Sequence, residues 1–274
     1  MTPLLHEVRL AALDVTLGLR LPAALADAPR PWLPGGVVEV RGAEPVAAWI
    51  TLDPGPAGEG AAASYRLVDS DGVLDEIVEA GEIDASLEWA VIATLARRVQ
   101  GYVFLHAGVV AWGGRAILLP GRSHAGKSTL TAALVRAGAD YYSDDCAALG
   151  PDGHVHPISR RLALRRPDGQ MDRVDVRAWG ARVGGSPTPV GLIVATRHVA
   201  HARWQPRALT PGEAVQAMVE HAIGLARQPA RTLAALAAIA QAAPAFEGTR
   251  GEAAAVVEWC LRSLGTGAAA VALR

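Results

Sequence analysis

The stretch Ala116-Ile117-Leu118-Leu119-Pro120-Gly121-Arg122-Ser123-His124-Ala125-Gly126-Lys127-Ser128-Thr129-Leu130 decides how this chain is read. Ala116 to Leu119 is a short apolar run of strand type. Gly121 and Gly126 bound a loop, and Lys127 to Ala137 reads as a helix closed by Gly138. The loop fits G-x-x-x-x-G-K-[ST] at every fixed position. Glycines let the backbone curl so that successive N–H groups point at phosphate oxygens, and the helix N-terminus adds partial positive charge. The spacing therefore predicts a nucleotide-phosphate cradle made of Gly121, Arg122, Ser123, His124, Ala125, Gly126, Lys127, Ser128 and Thr129. Lys127 would reach the β- and γ-phosphates, and the Ser128 hydroxyl would ligate Mg²⁺. The competing account is a chance match on an ordinary strand-to-helix turn. Strand before and helix after both argue against it.

Composition sharpens this point. The 274 residues include 26 Lys plus Arg, and Lys127 is the single lysine among them. Elsewhere the chain uses arginine, on surfaces and helix ends where the two cations are interchangeable. Between phosphates and backbone a compact ammonium on a flexible stem fits where a planar fork does not. Charge as a whole is nearly balanced, with 27 Asp plus Glu and a formal net charge of −1. That removes the main argument for a general nucleic-acid binder. A 51% apolar content excludes disorder. Cys146 and Cys260 lie far apart and form no zinc spacing, and no basic-then-apolar leader opens the sequence. The apolar stretches break before ~18 residues, too short for a membrane span. A soluble, reduced, cytoplasmic protein is expected.

Working outward, Val103 to Trp112 is an apolar run followed by the hairpin signal Gly113-Gly114, and His106 lies within it. Taken alone, such a histidine is more often structural. Downstream, the strand Tyr141-Tyr142 ends in Ser143-Asp144-Asp145, 16 residues after Ser128. Strand ends and a phosphate loop open onto the same crevice in α/β sheets. Two carboxylates there suit holding Mg²⁺ and accepting a proton from an attacking hydroxyl. His154 and His156 share a strand face without an evident acidic partner, and Arg160-Arg161 and Arg165-Arg166 read as a solvated basic face. Asp152-Gly153 marks a hairpin, Gly191 to Thr196 a buried strand, and Pro211 with Glu213 a helix start. Late helices follow over Thr232 to Ala243 and Gly251 to Arg262. Residues 1–83 read as a β-rich region, and 84–274 as the α/β nucleotide-binding domain, beginning with a helix over Asp84 to Val99.

Leu105-His106-Ala107-Gly108, the loop from Leu119 to Leu130, Leu134 to Ala139 and Tyr142-Ser143-Asp144-Asp145 together resemble the HPr kinase/phosphorylase catalytic domain and its short relatives. The resemblance is strongest over Gly101 to Ala148. It implies a P-loop fold of the HPr kinase and PEP carboxykinase type, and an ATP- and Mg²⁺-dependent kinase acting on a Ser/Thr hydroxyl of a small protein or peptide. Asp144 would be the base, Asp145 its neighbour near the metal, and His106 would stand beside the reacting phosphoryl group with Lys127. Some short relatives accompany systems that make ribosomal peptides such as lasso peptides, which adds a precursor peptide as a substrate class. Full-length members form hexamers, so a homo-oligomer stays open. Where the family has Glu and then Arg-Gly-Leu-Gly, this chain has Ser159-Arg160-Arg161-Leu162-Ala163-Leu164-Arg165, so neither phosphorolysis nor HPr as substrate is implied. Two other readings remain: a small-molecule kinase, and a nucleotide-binding regulatory module with little turnover.

Overall fold

The computed structural model describes residues 5–55, 64–72, 74–122, 125–166 and 168–265. They form two compact units, 1–101 and 102–274.

The first unit holds strands β1 (Leu5–Ala12), β2 (Val15–Pro22), β3 (Val38–Val40), β4 (Ala48–Pro54), β5 (Ser64–Asp69) and β6 (Asp75–Glu79), with helices α1 (Ala23–Ala26) and α2 (Ile83–Arg98). Its sheet runs β3-β1-β2-β4-β5-β6. Among the described residues, only the β2–β4 pair of this sheet is parallel. Leu17, Leu19 and Leu21 alternate with outward residues along β2 and are sealed from water with Ile50, Leu52 and Leu67. On α2, Leu87, Val91 and Leu95 recur every four residues, and the helix packs on β2, β4 and β6. Its apolar stripe is buried against the first sheet, so this packing puts the helix in unit one rather than at the start of unit two. Its N-cap is Glu82, without a side-chain cap bond.

The second unit is a mixed α/β structure. Its strands are β7 (Val103–Leu105), β8 (Ala107–Trp112), β9 (Arg115–Pro120), β10 (Asp140–Ser143), β11 (Ala147–Leu149), β12 (His154–His156), β13 (Leu162–Arg165), β14 (Met171–Val174), β15 (Thr188–His198), β16 (Arg207–Leu209), β17 (Ala222–Ile223) and β18 (Ala245–Arg250). Its helices are α3 (Lys127–Arg136), α4 (Pro211–Val219), α5 (Pro229–Ala242) and α6 (Ala253–Gly265). The expected apolar run 103–112 splits at His106. β7 pairs with β11 and β17, whereas β8 pairs with β9 and β10.

Strand direction positions the site. β15 is parallel to β9 and to β18. β10 and β9 are both antiparallel to β8 and so run the same way as each other. The C-terminal ends of β9, β10, β15 and β18 therefore lie on one edge. So does the start of β8, where Ala107 is paired with Pro120. Period-two alternation builds a core on each face of the sheet. Val109, Leu118 and Ile193 join Met218 of α4 and Leu236 of α5. Val110, Ile117 and Leu192 join Leu130 of α3 and Val256 of α6 on the other face. Each such side chain contributes about 1.5–3 kcal/mol by leaving water. Both cysteines are free and buried, and burial pushes each thiol up to about 12. Among the described residues no helix is long and apolar enough to cross a membrane.

Candidate active site

At the shared edge β9 ends at Pro120, and the chain turns through the glycine-bounded loop into α3. Ser123 and His124 lie outside the described residues. Gly126 is the N-cap of α3 with φ +83°, a left-handed conformation that glycine adopts freely. As a glycine, Gly126 offers no side-chain cap, so among the described residues the first-turn N–H groups are left to other acceptors. Lys127 is buried and curls back over the loop. Its Nζ donates to the carbonyls of Gly121 at 2.8 Å and Arg122 at 2.9 Å. The same ammonium stands 3.0 Å from His106 Nε2.

An ammonium can only donate, so His106 Nε2 accepts and the ring proton sits on Nδ1. Nδ1 lies 3.0 Å from Asp145 Oδ1, a geometry in which it donates. Burial lowers the His106 pKa, Asp145 pulls it back up, and Lys127 lowers it further. Burial and the neighbouring ammonium thus favour the neutral imidazole. Burial also lowers the Lys127 pKa, against the opposing pull of Asp145 and Asp144.

The two adjacent aspartates have different surroundings. Asp144 is only 2% exposed. Its Oδ2 accepts from Ser128 Oγ at 2.8 Å and from the backbone N–H of Ala163 at 3.1 Å, and its Oδ1 from the Tyr141 hydroxyl at 3.2 Å. Burial raises its pKa, while the bonds from Ser128 and Ala163 lower it. Asp145 is half-exposed, and its Oδ2 is held at 2.9 Å by Arg160 Nη1. Both aspartates and Arg160, together with Ser128 and Thr129, line a cleft of about 670 Å³.

The loop, Lys127, Ser128, both aspartates and His106 are thus brought together. Arg160 corrects the expectation of a solvated basic face: its side chain is 9% exposed and paired with Asp145. A run of adjacent arginines gives no hint of which one turns inward. Tyr141 and Arg250 are further residues that the sequence reading missed. Arg250, last in β18, is buried against the loop, with Nη2 donating to the Gly126 carbonyl at 2.7 Å. Its only sequence signal is a place just before Gly251 and α6. The pair His154 and His156 has an acidic partner after all, since Asp152 on the preceding turn faces both rings, at 3.3 and 3.4 Å. Among the described residues, however, no group of three or more His, Cys, Asp or Glu could hold a metal ion.

No family model matches the chain, and no curated protein matches it in sequence. Among solved structures, the HPr(Ser) kinase/phosphatase from Coxiella burnetii is similar at 14% identity and a TM-score of 0.31, over 58% of this chain and 93% of that one.

Proposed function

We propose that the chain is an ATP-dependent kinase that moves the γ-phosphoryl group to a Ser or Thr hydroxyl of a small protein or peptide. One observation carries this reading: a glycine-bounded loop with an uncapped helix start, a buried lysine and two differently housed aspartates meet at one sheet edge. Loop N–H groups and Lys127 suit the donor phosphates. Ser128 Oγ and Asp144 Oδ2 are hard oxygen donors 2.8 Å apart, a set that fits Mg²⁺, which takes few protein ligands and keeps phosphate oxygens and water for the rest. When bound there, Mg²⁺ supplies charge neutralisation on the transferring group.

The roles of the aspartates follow from their housing, and they reverse those the family resemblance implies. Asp144 has both oxygens engaged deep beside Ser128, which suits the metal side. Asp145 is open to the cleft. Arg160 and His106 hold its two oxygens in place, so Asp145 is placed to take the proton from the acceptor hydroxyl. Catalysis is then positioning plus electrostatics. The test is transfer of label from γ-labelled ATP to a panel of Ser/Thr peptides and small proteins. Asp145→Asn is expected to lower transfer by about 10²-fold or more while ATP binding persists. ATP binding without transfer to any acceptor favours the regulatory module instead.

A further inference from the structure

Arg250 is not used by the chemistry above. It is 2% exposed, and among the described residues it forms no ion pair. Its Nη2 donates to the Gly126 carbonyl at 2.7 Å and its Nη1 to the Gly251 carbonyl at 3.0 Å, both neutral acceptors. Its Nε is buried and has no hydrogen-bond partner among the described residues. Glu252 is exposed and acts on it only at a distance. A buried guanidinium without a carboxylate is costly, and two carbonyls do not cancel its charge.

The surroundings indicate what completes it. Arg250 lines the same cleft as Lys127, Ser128 and Asp144, together with Gly251 and Ala253. The cleft is thus walled by the first residues of α3 on one side and of α6 on the other, and both helices bring the positive end of their dipoles. Gly126 permits the approach, because a Cβ there would collide with Arg250 Nη2.

We infer that Arg250, between the starts of α3 and α6, is an anion-binding residue that holds a phosphoryl group of the donor on the side of the cleft away from His106. This rests on the phosphate-loop reading of the same site and adds to it a residue that lies outside the loop motif. A planar fork with an unpartnered N–H suits a phosphate's paired oxygens, which is a task for arginine rather than lysine.

The experiment is thermal unfolding of the full chain, with and without inorganic pyrophosphate or Mg²⁺–ATP, for wild type, Arg250→Met and Arg250→Lys. Expected is a pyrophosphate-induced rise in Tm for wild type that is lost in Arg250→Met and reduced in Arg250→Lys. Ligand-free Arg250→Met is expected to unfold no lower than wild type, because an uncompensated buried charge has gone. A purely structural clamp gives the opposite pattern. Arg250→Met would then unfold earlier or fail to fold, and Arg250→Lys would keep the full ligand-induced rise. Either result overturns the inference, as does a wild type that pyrophosphate does not stabilise. ATP binding lost in Lys127→Ala but unchanged in Arg250→Met sinks the Arg250 role and leaves the loop reading intact. A pyrophosphate response that depends on Arg250, with no preference for ATP and no transfer, supports the anion site and removes the kinase.

Discussion

Neighbouring residues of the same type have unlike chemistry here because burial separates them. Asp144 is buried, so its folded pKa lies above 3.8, and stability is lost as pH rises from that value through the raised one. Asp144→Asn is therefore expected to raise Tm at pH 7 while weakening Mg²⁺-dependent ATP binding. Thermal scans at pH 7 and near pH 4 check it, with the gain confined to the higher pH. His106 shows the opposite sign. Its folded pKa is below 6.5, so the unfolded chain binds a proton first, and stability falls as pH drops below 6.5 through the folded value. Charging the ring also sets it against Lys127, 3.0 Å away. Transfer is expected to decline over that window, and His106→Gln to flatten this acid limb in a rate–pH profile. Sequence spacing pointed to Lys127, Ser128 and both aspartates, since a loop motif and an adjacent pair are local signals. It could not disclose Arg160 or Arg250, whose orientation depends on which strands end beside the loop.

At the level of elements, α3 is fixed at both ends by glycine. At its C-terminus Gly138 has φ +101°, its N–H donates to Val135 O at 2.9 Å, and the Ala139 N–H donates to Leu134 O at 3.1 Å. This is the paired closing motif that needs a left-handed residue. Gly138→Ala is expected to cost roughly 1–2 kcal/mol, read from urea unfolding, without changing ATP affinity. The helix was legible from its glycines and periodicity, as were α4, with its Thr210–Glu213 capping box, and the Asp152-Gly153 hairpin. The break between β7 and β8 was not. Apolar periodicity runs straight through residues 103–112, and only pairing with different partners separates the two strands. At that break the His106 side chain reaches Lys127 and Asp145, while its backbone N–H donates to the His221 carbonyl at 2.8 Å.

For the whole molecule, every described site residue lies in 102–274. The first unit has its own core, so Ile50→Ala, at a fully buried position, is expected to cost about 2–5 kcal/mol and leave ATP affinity unchanged in calorimetry. A shift in affinity would show that the two units are energetically linked. The division was only partly visible in sequence, because α2 carries a regular helical pattern that fits either neighbour, and its buried face alone assigns it. The central claim is that the loop around the one lysine binds nucleotide phosphates. Calorimetric titration of Mg²⁺–ATP into wild type and Lys127→Ala tests it most directly. The expected result is saturable binding by wild type and at least about a tenfold loss in the variant, equivalent to about 1.4 kcal/mol or more. Equal affinity of the two proteins, or no binding by wild type, would contradict it.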